Sequence, residues 1–80
     1  MNMEIYIVTE VHSDKRHYTT VHSSHEEAYN RVQYLLKGYK TSKYLTNWRW
    51  EAYYDDGRCD LITIEHYTYL PGHDGWVFNR

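Results

Sequence analysis

Between residues 4 and 11 the side chains alternate, with Ile5, Ile7, Thr9 and Val11 on one side and Glu4, Tyr6, Val8 and Glu10 on the other. A two-residue period rich in β-branched residues predicts a strand. Ser13-Asp14-Lys15-Arg16 is a polar loop of hairpin length, and residues 17–22 resume the alternation through Thr19 and Val21. Then the period changes. Ala28, Tyr29, Val32, Leu35, Leu36 and Tyr39 recur at steps of three and four, which draws one apolar stripe along a helix. Ser23-Ser24-His25-Glu26-Glu27 precedes it and offers a capping box in two registers, Ser23 with Glu26 or Ser24 with Glu27. Gly38 stands where the helix should stop. The spacing predicts a helix over residues 24–37.

Residues 40–47 show no such period and read as a loop or a short helical turn. Trp48, Trp50, Ala52 and Tyr54 then alternate with Arg49, Glu51 and Tyr53, and residues 58–70 form a long strand containing Leu61, Ile62 and Ile64. Asp56-Gly57 between them signals a two-residue turn. Such a turn sets Asp55 beside Arg58, Ala52 across from Leu61 and Trp50 across from Thr63. Pro71-Gly72 breaks the strand, and Trp76-Val77-Phe78 supplies a possible extra C-terminal edge strand. The expected architecture is α+β, a small antiparallel sheet in the order β-β-α-β-β with one helix packed on one face. Residues 1–80 make a single domain. The second face of the sheet has no cover of its own. Tyr6, Tyr18 and several of Tyr53, Tyr67, Tyr69 and the tryptophans are therefore expected to stay partly exposed or to bind something.

Composition sharpens this picture. Leu, Ile, Val and Phe number only 15, whereas ten tyrosines and three tryptophans bring the aromatic share to 18%, so aromatics must fill part of the core and still leave a surplus. Tyr and Trp bury much area while immobilising few torsions, which suits them to interfaces. One cysteine excludes an internal disulfide and a multi-thiolate zinc site. No apolar run approaches the roughly 18–20 residues that span a bilayer, and residues 1–10 lack the form of a signal peptide. The chain is expected to be soluble and cytoplasmic, without a membrane partner.

Candidate chemistry is sparse. Across a four-residue loop His12 and His17 should face each other, but His22 and His25 lie about 16 Å away along the strand, too far to share one zinc ion. Cys59 lacks a nearby histidine, and Glu51 and Glu65 fall on facing strands without a cleft to separate their pKa values. No phosphate-loop, zincin, nucleophile-elbow or C-x-x-C motif occurs. Neither a catalytic site, a cofactor nor a metal is expected. Charge is more telling: residues 31–50 hold five basic residues and no acidic one, and the other 60 hold four basic and all 11 acidic residues. Lys37, Lys40, Lys43 and Arg49 interleave with Tyr34, Tyr39, Tyr44, Trp48 and Trp50, a composition used to bind single-stranded nucleic acid.

The opening Ile5-Tyr6-Ile7-Val8-Thr9-Glu10, followed by Val21-His22-Ser23-Ser24-His25-Glu26-Glu27-Ala28, resembles small phage and prophage accessory proteins that run from a strand through a turn into a capped helix. The resemblance covers about the first 37 residues, and residues 69–78 are loosely similar to the aromatic ends of those proteins. It implies a non-enzymatic protein, of the anti-CRISPR, anti-defence or host-takeover kind, that binds and blocks a host or defence-system protein. The acidic residues outside the basic stretch could then mimic nucleic acid toward a basic groove on that target. Nucleic-acid binding through residues 31–50 is the alternative. Contact with a protein partner, or with a second copy in a homodimer, is expected from the second hairpin: Arg49, Glu51 and Tyr53, with Trp48, Trp50 and Tyr67.

Overall fold

Two short hairpin strands lead into a helix, and four more strands follow it. The computed structural model describes residues 3–73 and 75–80. The elements are β1 (Met3–Val11), β2 (His17–His22), α1 (His25–Leu36), β3 (Thr41–Thr46), β4 (Arg49–Tyr53), β5 (Cys59–Leu70) and β6 (Gly75–Phe78). All six strands pair antiparallel in the order β2-β1-β5-β4-β3, and β6 joins β5 alongside. The architecture is α+β, with one helix against one sheet. Among the described residues no helix is long and apolar enough to cross a membrane.

The helix begins as its sequence requires. Ser24 is the N-cap in extended conformation, and its hydroxyl accepts the Glu27 N–H at 3.1 Å. The Glu27 carboxylate accepts from the Ser23 N–H (3.1 Å) and hydroxyl (2.9 Å), so the second of the two capping registers is used. Ala28 and Val32 are fully buried, and Leu35, Leu36 and Tyr39 pack beside them. Val8, Trp50, Ala52, Ile62 and Ile64 meet them from the sheet.

Several sequence-based expectations change. Residues 40–47 contain a strand, β3, whose six residues are all exposed because it is the sheet edge. With no buried face it has no alternation to betray it. Both hairpin loops have three residues, so the first is one residue shorter than the expected loop over residues 13–16 and the second one residue longer than the expected Asp56-Gly57 turn. Tyr54 donates to the Arg58 carbonyl and Gly57 to the Tyr54 carbonyl, with Gly57 at φ 86°. His12 and Lys15 repeat that pattern in the first hairpin, with Lys15 at φ 73°. These are type I turns closed by a left-handed residue, the three-residue hairpin loop. They shift both registers by one. Ala52 now faces Asp60, and Trp50 faces Ile62. Val11, not His12, faces His17, so the two histidines lie on opposite sides of the sheet.

The first strand also turns the other way. Tyr6 and Val8 face the helix, and Ile5, Ile7, Thr9 and Val11 lie on the uncovered side. Apolar residues occur on both sides of β1, so alternation alone could not choose between them. Tyr6 stacks on His66 with ring centroids 4.4 Å apart, in a cluster completed by Trp48 and His25.

Candidate functional site: the uncovered sheet face

Odd-numbered residues of β1, β4 and β5 point away from α1, and the registers arrange them in cross-strand rows. One row runs His17, Val11, Leu61, Glu51, Lys43, and the next runs Thr19, Thr9, Thr63, Arg49. Then come Val21, Ile7 and Glu65, followed by Ile5, Tyr67 and Phe78, and last Met3, Tyr69 and Trp76. The face thus divides into a polar end on β3 and β4 and an apolar end where β2, β1, β5 and β6 meet. At the apolar end Val21 is 63% exposed, Phe78 58% and Trp76 45%.

Four of the six expected contact residues lie on this face: Arg49, Glu51, Tyr53 and Tyr67. The Tyr53 hydroxyl donates to Glu51 at 3.1 Å and the Tyr67 hydroxyl to Glu65 at 2.7 Å. Each phenol is pushed above its ordinary pKa, chiefly by that carboxylate bond and then by burial. Glu51 faces Leu61, which puts Glu65 four residues further along β5, about 13 Å away, so the two carboxylates do not form a pair. The tryptophans are corrections. Trp50 is 2% exposed, because even-numbered residues of β4 face the helix, and it cannot meet a partner. Trp48 is half-buried against the core on that same side. Ile5, Ile7, Val21, Trp76 and Phe78 were missed as contact residues. For Ile5, Ile7 and Val21 the signal was the alternation in β1 and β2, assigned to the wrong side, whereas Trp76 and Phe78 lie on β6, whose four residues are too few to show which side they face.

The basic residues expected to grip nucleic acid do not gather. Lys37 caps the helix C-terminus and Lys40 follows in the connection to β3, where its N–H bonds the Tyr53 carbonyl. Lys43 and Arg49 point to the uncovered face, and Lys43 stands directly across from Glu51.

A second cluster lies at the end of the sheet where both hairpin turns sit. Asp60 is fully buried. Its Oδ1 accepts the Ser13 N–H at 2.9 Å, and its Oδ2 accepts the hydroxyls of Tyr39 (2.7 Å) and Tyr54. His12 Nδ1 lies 2.9 Å from the same Oδ2, while His12 Nε2 is 3.4 Å from Glu10. Burial pushes the Asp60 carboxyl up, but the bonds from Tyr54, Tyr39 and Ser13, helped by His12, outweigh it and hold the group below the usual aspartate range. Tyr39 is driven far above the phenolic range by burial and by Asp60. The carboxylate ties the first turn, the second hairpin and the helix exit together. With its oxygens engaged in this way it serves as a clamp. Among the described residues no three of His, Cys, Asp and Glu are placed to hold a metal ion. The Cys59 thiol is half-buried and lies 3.5 Å from the Asp60 carbonyl.

No family model, no curated protein and no solved structure matches this chain.

Proposed function

We propose that this protein is a non-enzymatic binding module that docks a protein partner on its uncovered sheet face. The observation that carries the reading is the apolar end of that face, where Ile5, Ile7, Val21, Tyr67, Trp76 and Phe78 gather without any cover from the single helix. Burying such a surface is the main driving force of protein association. The polar end, with Arg49, Glu51 and Tyr53, supplies the mixed rim that fixes orientation. The resemblance of the opening strand and capped helix to phage accessory proteins supports a host or defence-system protein as the partner, bound so as to block it.

The test uses Val21→Glu with Phe78→Glu. Both side chains are more than half exposed, so the variant should fold, as checked by circular dichroism. Proteins captured from bacterial lysate by the wild type are identified by mass spectrometry, and self-association is measured by light scattering. Specific capture that disappears in the folded variant is the expected result. Unchanged capture would remove the face from consideration, and a wild-type dimer abolished by the variant would make a second copy the occupant.

A further inference from the structure

The edge of β5 that faces away from β1 is shared by two strands. β4 covers Cys59 to Thr63, and β6 covers Tyr67 to Leu70. Between them the sheet leaves a groove of about 440 Å³, walled by Thr46, Trp48, Arg49, Thr63, Glu65 and Arg80. This volume falls within the range of sites that hold small groups.

Its charges are incompletely matched. Among the described residues neither the Arg49 nor the Arg80 guanidinium has a carboxylate within ion-pairing distance. Glu65 lines the same groove, but its carboxylate accepts the Tyr67 hydroxyl at 2.7 Å. Arg80 rests over the Trp48 indole, 5.6 Å from the ring centroid, which holds it at the groove wall. The Thr46 hydroxyl accepts the Trp48 backbone N–H at 3.0 Å, which ties the end of β3 to the start of β4 at the groove wall. The charged side chains that line the groove are two guanidiniums and one carboxylate, and Glu65 repels a phosphate, at close to two negative charges, more strongly than a single carboxylate. Guanidinium forks pair well with the two oxygens of a carboxylate. Arg49, Thr63 and Glu65 also belong to the uncovered face, so the groove opens where a partner would dock.

We infer that this groove is a carboxylate subsite, taking an aspartate or glutamate side chain of the docked protein between Arg49 and Arg80. The assignment rests on the binding reading above for its source, but the chemistry is testable without any partner. The probe is N-acetyl-glutamate N-methylamide, titrated at pH 7 with nitrogen-edited NMR of the Trp48 indole N–H and the Arg49 and Arg80 Nε–H signals. Its glutamine counterpart and inorganic phosphate serve as controls. Saturable shifts of these signals are expected with the glutamate probe, and affinity for the glutamine counterpart should be weaker by about tenfold or more. Arg49→Gln with Arg80→Gln should lose a similar factor while its backbone spectrum stays folded. Equal affinity for both probes, tighter binding of phosphate, or an unaffected double variant would overturn the inference. Val21→Glu with Phe78→Glu should leave probe binding intact, which separates the two readings. If those changes abolish partner capture and the arginine changes do not, the subsite falls and the docking face stands.

Discussion

Replacing Asp60 by Ala should be the most damaging single change in the molecule. The carboxylate is fully buried and receives the Ser13 N–H, the Tyr39 hydroxyl and the Tyr54 hydroxyl. A hydrogen bond to a charged group contributes about 1.5–3 kcal/mol, though members of one network do not add. Removing the acceptor also strands those donors beside a cavity. Breaking a buried charged network from one side costs roughly 3–5 kcal/mol. A domain of this length has about 4–12 kcal/mol of stability in total. The loss should therefore be a large fraction of the whole and lower the melting temperature by at least about 12 °C. Asp60→Asn keeps the shape and one acceptor oxygen, and should lose about 1–3 kcal/mol. Urea unfolding followed by tryptophan fluorescence reads both, with the slope checked for two-state behaviour. The pH dependence carries a second signature. Because the folded-state pKa of Asp60 is depressed, its contribution is complete above the ordinary aspartate value of 3.8, declines below it, and is gone once pH falls through the folded-state value. Asp60→Asn should lack that part of the acid destabilisation. An Ala variant within about 1 kcal/mol of wild type would refute the clamp.

Three further outcomes follow from geometry. Ser24→Ala removes the acceptor of the Glu27 N–H and should cost about 1 kcal/mol by thermal denaturation. Lys15→Gly should stabilise by up to about 1 kcal/mol, and Gly57→Ala should destabilise by about 1–2 kcal/mol, since each residue sits at positive φ. Equal melting temperatures for wild type and both variants would contradict the turn assignment. Lys37 and Lys40 lie apart from Lys43 and Arg49, so any binding of a single-stranded oligonucleotide should show a salt slope below the total of four contacts at roughly 0.7 log units each. A slope corresponding to four contacts in a filter-binding series would restore nucleic acid as the partner.

The sequence carried the helix plainly, because Ser24, Glu27 and the stripe through Ala28 and Val32 agree on one element. It also carried the alternation of β4, which separates Arg49, Glu51 and Tyr53 from Trp50 and Ala52. What it concealed has physical causes. The polar residues Thr41, Ser42 and Lys43 begin an edge strand that needs no buried face. Lys15 takes a left-handed conformation usually left to glycine, so the loop length was not readable from composition. The one-residue register error then hid Asp60: set opposite Ala52, it must face the helix, and a buried aspartate demands donors. Those donors come from Ser13, Tyr39 and Tyr54, of which two are remote in sequence.

The middle of the sheet is also its most distant pairing in the chain. β1 meets β5 through partners such as Met3 with Tyr69 and Val11 with Leu61, roughly 50 to 66 residues apart. The hairpin of β1 and β2 and the meander of β3, β4 and β5 can each close early, from short loops. Joining them requires the costliest loop closure in the molecule. Synthesis at about 5–20 residues per second leaves β1 waiting several seconds for its mate. During that interval Ile5, Ile7, Val8 and Val11 present an unpaired apolar edge to neighbouring chains. The final zipper between β1 and β5 is therefore the step expected to set how fast the protein folds and how long that edge stays open to other chains.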